Sequence, residues 1–89
     1  MRSVDEVLVT VNISNPSGTY DMELPSFMLI GELKKKILEA LRLMDTRKYG
    51  GVRDIELSFN GNSLQYNSTL ACNNIWDGSI IDIITVKAR

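Results

Sequence analysis

Val7, Val9, Val11 and Ile13 alternate with Leu8, Thr10 and Asn12, the two-residue period of a strand with one face on a core. Asn15-Pro16-Ser17-Gly18 then predicts a turn, with proline fixing one backbone angle and glycine accepting a positive one. Alternation resumes from Thr19 to Leu24, placing Tyr20, Met22 and Leu24 on one face, until Pro25 removes a ladder donor. These segments predict a hairpin. Beyond it, Ile30, Leu33, Ile37, Ala40, Leu41 and Met44 recur at steps of three and four, drawing one apolar stripe along a helix of about four turns. The opposite face carries Glu32, Lys35, Lys36, Glu39 and Arg42, and Glu32 with Lys36 forms a four-residue pair worth about 0.3 kcal/mol.

A polar connection follows from Asp45 to Asp54, in which Gly50-Gly51 ends any continuing helix. Ile55, Leu57 and Phe59 alternate with Glu56 and Ser58, and Asn60-Gly61 is a strong hairpin signal after which Leu64 opens a short return strand. Between Gln65 and Asn74 the chain is polar except for Leu70 and Ala71, which predicts a loop pinned to the core by Leu70 and then Ile75. Asp77-Gly78 makes another turn. In the closing strand Ile81 and Ile83 face inward, while Asp82, Ile84 and Val86 face outward.

The order strand, strand, helix, strand, short strand, strand predicts an α+β β-grasp. In it a mixed sheet of four to five strands packs on one helix, with the first and last strands as parallel neighbours at its centre. Eighty-nine residues suffice for one such core and not for two, so the expectation is a single domain over 1–89, ordered from about 5 to 87.

Composition narrows the chemistry. Apolar residues at 44% and charged residues at 24% are the balance of a folded chain rather than a disordered one. The net charge of −1 gives no overall field toward nucleic acid, yet between Lys34 and Arg53 seven cations face two carboxylates, a local excess of +5. Lys34, Lys35 and Lys36 are accordingly a candidate docking cluster, set against the plain reading of a solvated helix face. Tyr49 is the sole aromatic in that segment, which argues against nucleic-acid stacking.

The chain has no histidine, hence no ordinary general base, and a lone Cys72 with neither a base nor a cation beside it in sequence. Neither enzyme activity nor a cofactor nor a metal is expected. No apolar run is long enough to span a bilayer, and Met1-Arg2-Ser3-Val4-Asp5-Glu6 is not a signal peptide, so direct membrane insertion is not expected and a cytoplasmic location is.

Two candidate contact regions remain. Trp76 follows the core anchor Ile75 and therefore points partly outward, either as a binding anchor or packed on the loop before it. Leu8, Ile84 and Val86, with Thr10 beside them, are expected to form an apolar strip on the outer sheet face.

The run Ile30-x-x-Leu33-x-x-x-Ile37, then Leu57-Ser58-Phe59-Asn60-Gly61-x-x-Leu64, then Ser68-Thr69-Leu70-x-x-x-Asn74-Ile75 and Gly78-Ser79, resembles ubiquitin. Thr19-Tyr20-Asp21-Met22-Glu23-Leu24-Pro25 and the Ser26-Phe27-Met28-Leu29-Ile30 lead into the helix resemble more closely the bacterial YukD and EsaB proteins. That resemblance implies a cytoplasmic accessory or regulatory component of type VII secretion whose partners are membrane or ATPase components of the apparatus. Where ubiquitin presents an apolar patch, the matching positions are Ser58, Asp82 and Ile84, so ubiquitin receptors are not expected to bind. The sequence closes on Val86-Lys87-Ala88-Arg89 without the glycine pair of conjugated relatives, and a non-conjugated protein is expected. The alternatives are a general ubiquitin-like adaptor of another pathway, or a processed modifier or sulfur carrier.

Overall fold

The computed structural model describes residues 5–14 and 17–87. Strands β1 (Glu6–Ser14) and β2 (Ser17–Pro25) form the first hairpin, α1 (Ile30–Met44) crosses the sheet, and a one-turn helix α2 (Thr46–Tyr49) leads into β3 (Val52–Phe59). The short β4 (Asn62–Ser63), a 3-10 turn at Ala71–Asn73 and β5 (Ile80–Lys87) complete the chain. The sheet order is β2-β1-β5-β3-β4. β1 runs parallel to β5, with Thr10 opposite Ile80 and Ile13 opposite Ile83, whereas β1 with β2 and β3 with β5 are antiparallel. This is the expected β-grasp, with the two most regularly apolar strands at the centre, where both edges of their backbone are hydrogen-bonded.

The core follows the alternation. Val7, Val9, Val11 and Ile13 from β1, Ile55 and Leu57 from β3, and Ile81 and Ile83 from β5 are buried against Ile30, Leu33, Ile37, Leu38 and Leu41 of α1. Leu70 and Ile75 are fully buried, so the polar loop is anchored at the two expected points. The Ile75 amide donates to the Leu70 carbonyl at 3.0 Å, and the intervening Asn74 adopts a left-handed conformation that closes the 3-10 turn. Asn60 and Gly61 have φ of 52° and 81°, the two positive values a tight two-residue hairpin turn requires. A Gly61→Ala substitution is therefore expected to cost about 1 kcal/mol by denaturant unfolding, because alanine resists that angle.

Several expectations need correction. Asn15 and Pro16 of the first turn lie outside the described residues, while Ser17 and Gly18 are already in β2, paired with Ser14 and Ile13. Gly18 does not have a positive φ; its role is steric, as a Cβ there would lie 2.6 Å from the Tyr49 hydroxyl. Met44 is half exposed because α1 ends on it, whereas Leu38, beside the predicted stripe, is buried. Glu32 and Lys36 do not form an ion pair among the described residues; both are exposed and solvate separately.

The connection from Asp45 to Asp54 holds more structure than its polarity suggests. Asp45 caps α2, its carboxylate accepting from the Lys48 amide at 3.1 Å. The single turn so formed buries Tyr49 completely. The Tyr49 hydroxyl meets that of Tyr20 at 2.9 Å, with the rings edge to face and 6.1 Å between centroids. Burial, and then the bond to Tyr20, push the Tyr49 phenol well above its ordinary value near 10. A raised folded-state pKa favours the protonated native form, so this contribution is intact below about pH 10 and fades as the pH rises further and the unfolded phenol ionises. Chemical denaturation at pH 9 to 11, run at roughly those values, should show the native chain losing more stability than Tyr49→Phe.

Candidate protein-interaction site

The segment that carries Trp76 is fastened to β1 by a ladder of short bonds. The Leu8 amide donates to the Asp77 carboxylate at 2.8 Å, the Gly78 amide to the Leu8 carbonyl at 2.9 Å and the Thr10 amide to the Ser79 carbonyl at 2.9 Å. Within the turn, the Trp76 amide donates to Ser79 Oγ and the Ser79 amide returns to the Trp76 carbonyl. Trp76 thus stands half exposed on a turn held at both ends, one residue beyond the buried Ile75. Leu8 and Ile80 are exposed at the same end of the sheet, since Ile80 pairs with Thr10 and Leu8 lies two residues before it. Asp77→Ala removes the carboxylate that accepts from Leu8 and is expected to cost about 1 kcal/mol, measurable as a shift in the urea midpoint.

The expected single strip from Leu8 to Val86 is divided by the register. On the outer face Ile80 neighbours Thr10 and Asp82 neighbours Asn12, so Ile84 lies about 20 Å from Leu8 along the strands at ~3.3 Å per residue. Between them runs a polar belt, in which Thr10 Oγ1 donates to Asp21 at 2.8 Å and the Asn12 side-chain Nδ2 to Asp82 at 3.4 Å. Leu8 therefore belongs with Trp76 and Ile80, while Ile84 and Val86 form a separate pair at the far end of β5. Ile80 was not among the expected contact residues, although its place in the alternation of β5, opposite in phase to Ile81, was the signal for it.

The lysine cluster is divided too. Lys34 reaches Glu56 at 3.4 Å and Asp54 at 3.7 Å and is largely covered, so it ties α1 to β3. Its carboxylate partners remain more than half exposed, which limits the pair to at most about 1 kcal/mol. Lys35 and Lys36 are exposed on α1. Farther along, the Arg42 guanidinium donates to the Val52 carbonyl, and Lys48 lies 5.6 Å from the centre of the Tyr49 ring. Part of the basic excess thus supports the fold rather than facing a partner.

Among the described residues, no group of histidine, cysteine, aspartate and glutamate is arranged to hold a metal. Cys72 is exposed, and its backbone amide is tied to Thr69 Oγ1 at 3.0 Å. No helix in the described residues is long and apolar enough to cross a membrane. Of the aromatic and aliphatic residues leading into α1, Met28 packs on the core whereas Phe27 is exposed.

A five-stranded mixed sheet in this order, grasping one main helix, is the ubiquitin-like β-grasp. No family model and no curated protein matches the chain. Solved structures do resemble it. It is similar to the N-terminal ubiquitin-like domain in the 4931431F19Rik protein, with a TM-score of 0.72 and 21% identity over 100% of this chain and 83% of that one. It is similar to the EccD5 ubiquitin-like domain from Mycobacterium xenopi, with a TM-score of 0.72 and 15% identity over 94% and 98% of the two chains. The ubiquitin-like domain of the Mycobacterium tuberculosis type VII secretion system protein ECCD1 gives a TM-score of 0.66 and 19% identity over 89% and 97%. At these identities the likeness establishes the fold.

Proposed function

We propose that this chain is a single ubiquitin-like domain, spanning 1–89 with an ordered core near 5–87, that acts without catalysis as a protein-interaction module. Its setting is the cytoplasmic side of a type VII secretion apparatus, as an accessory of the YukD and EsaB kind. The observation that carries the interaction role is Trp76, half exposed on a turn that three hydrogen bonds fix to β1, at the end of the sheet where Leu8 and Ile80 are also exposed. A tryptophan carried on a fixed turn has little backbone freedom left to lose on binding, which suits an interface anchor. The secretion setting is supported by the Thr19–Leu24 and Ser26–Ile30 resemblance and by likeness to the EccD5 and ECCD1 domains. A catalytic role finds no support in a chain without histidine.

Affinity purification of the tagged protein from its own cells is expected to recover a membrane or ATPase component of the secretion apparatus, and Trp76→Ala, folded as wild type, to lose it. Trp76 is the only tryptophan, so its fluorescence reports that contact directly. Recovery of unrelated signalling proteins alone would instead make the chain a general ubiquitin-like adaptor. The second candidate group, Lys35 and Lys36 with the partly tied Lys34, is the place an acidic partner would meet.

A further inference from the structure

β2 is an outermost strand, and the phase of the hydrogen bonds beside it shows which of its backbone groups have no strand to meet. On β1 the Leu8 amide and carbonyl and the Thr10 amide are all engaged on the Asp77 to Ser79 side, next to β5. Successive residues point their backbone groups to opposite edges of a strand, so Val7, Val9, Val11 and Ile13 direct theirs to β2. Their partners there are Leu24, Met22, Tyr20 and Gly18. The Ser26 amide, which donates to the Asp5 carbonyl at 2.7 Å, continues the same phase. Ser17, Thr19 and Asp21 therefore aim their amides and carbonyls outward, at an edge that pairs with no strand among the described residues.

The two edges of the sheet are built differently. β4, at one, has two residues, too few to template another strand. β2, at the other, has nine, runs against β1 without a bulge, and carries no lysine and no proline before Pro25. Its carboxylates, Asp21 and Glu23, stand exposed on the outer face with Ser17 and Thr19. In chain order that face presents two hydroxyls and then two carboxylates, an arrangement complementary to its own reverse.

From this we infer that β2 pairs antiparallel with β2 of a second copy of the chain, joining two five-stranded sheets into one across a two-fold axis at Tyr20. In that register Thr19 exchanges both backbone hydrogen bonds with Asp21 of the second copy, twice by symmetry, and Ser17 stands opposite Glu23. Each carboxylate of the strand thus faces a hydroxyl. Thr10 occupies one oxygen of Asp21 at 2.8 Å, and the Thr19 hydroxyl, held by Asn12 at only 3.4 Å, turns to the other. A slide of two residues toward Pro25 would set Asp21 against Asp21 and bring in a residue without an amide hydrogen. The opposite slide would carry Glu23 past Ser17, the first residue of the strand. On the inner face Gly18 comes opposite Met22, and the Tyr20 ring leans away from the axis, lying so close over Gly18 of its own strand that a Cβ there would be 2.8 Å from it. Self-complementarity selects a second copy over a foreign strand, because the ordering of hydroxyls and carboxylates is met in full by the same chain reversed. A contact of one strand pair belongs to the weak and transient class, with a dissociation constant of about 100 µM. It is separate from Trp76 and does not depend on the proposed function.

Sedimentation equilibrium of the full chain from about 10 µM to about 1 mM is expected to show a reversible monomer–dimer equilibrium. It should tighten as salt is raised, since screening relieves the carboxylates that lie diagonally across the axis. Over the same concentration range exchange of the Thr19 and Asp21 amide hydrogens should slow by about fivefold, in step with the fraction dimerised. Thr19→Lys sets a cation opposite Asp21 on both sides of the axis and should tighten the dimer about fivefold, whereas Thr19→Asp sets a like charge there and should weaken it about as much. Thr19→Pro deletes an outward amide hydrogen that β1 does not use and should leave the chain monomeric; if it fails to fold, the lysine and aspartate variants decide. A wild-type chain still monomeric at about 1 mM, a dimer in which the Thr19 and Asp21 amides exchange as in the monomer, or equal responses to Thr19→Lys and Thr19→Asp would overturn the inference. Protection of those amides only when another protein is added would overturn it too, by assigning the edge to a foreign strand.

Discussion

Ile75→Ala is expected to destabilise the protein by about 2–5 kcal/mol and to lower its melting temperature by roughly 10–30 °C. Ile75 is completely buried, yet it lies in an irregular segment rather than in a strand or helix. Its side chain and that of Leu70 anchor the loop from Gln65 to Asn74 in the core, alongside backbone bonds from the Ile30 amide to Ser68, the Gly31 amide to Tyr66 and the Ala71 amide to Ser26. Its amide is bonded to the Leu70 carbonyl, so loosening one anchor loosens the other. Truncation leaves a cavity in the packed core that relaxes only in part, which places the cost above that of the lost methylenes alone. Since a domain of this size has only about 5–15 kcal/mol to lose, the variant stands near the threshold of unfolding at physiological temperature. The same change should loosen the surroundings of Trp76, one residue on, and redden its emission before global unfolding. A melting temperature within a degree or two of wild type would mean that Ile75 is not a core anchor.

The β-grasp was legible because its central strands state their faces plainly. Val7 to Ile13 and Ile81 with Ile83 alternate without interruption, and Asn60-Gly61 fixes the second hairpin by a conformational requirement that few other residue pairs meet. The segment from Asp45 to Asp54 hid its structure for a physical reason. A four-residue helix has no periodicity to detect, and a single tyrosine among charged residues reads as surface. The available sign was Asp45 three residues before Lys48, the spacing of an N-cap, which would have brought Tyr49 inward.

The interaction surface was legible in its residues and not in their arrangement. Alternation places Leu8, Ile84 and Val86 on one face, but alternation carries no register between strands. Only the pairing of Thr10 with Ile80 shows that Leu8 and Ile84 lie at opposite ends of that face, and only the hydrogen bonds of Asn12 and Thr10 show the polar belt between them. Charge runs mislead in a similar way. Lys34, Lys35 and Lys36 are consecutive in sequence, yet successive helical positions are turned by about 100°, so Lys34 reaches β3 while its neighbours face solvent.

Gly18→Ala is expected to destabilise the fold by about 1–3 kcal/mol, and the loss should shrink in a Tyr49→Phe background. The added Cβ would meet the Tyr49 hydroxyl at 2.6 Å and the Tyr20 ring at 2.8 Å, separations that force something to move. Tyr20 is only half buried and can give way toward solvent. Tyr49 cannot, because its ring is enclosed on α2 and its hydroxyl is already fixed by Tyr20. The strain therefore falls on one atom, the Tyr49 oxygen, which Tyr49→Phe deletes. Alone, that deletion costs about 1 kcal/mol for the hydrogen bond to Tyr20. Combined with Gly18→Ala it also relieves the clash, so the double variant should be more stable than the sum of the single losses by about 0.5–2 kcal/mol. Denaturant unfolding of the four proteins measures this coupling. Strict additivity would show that β2 shifts away from α2 as a whole, and that glycine at 18 serves the backbone of the strand rather than the space beneath it.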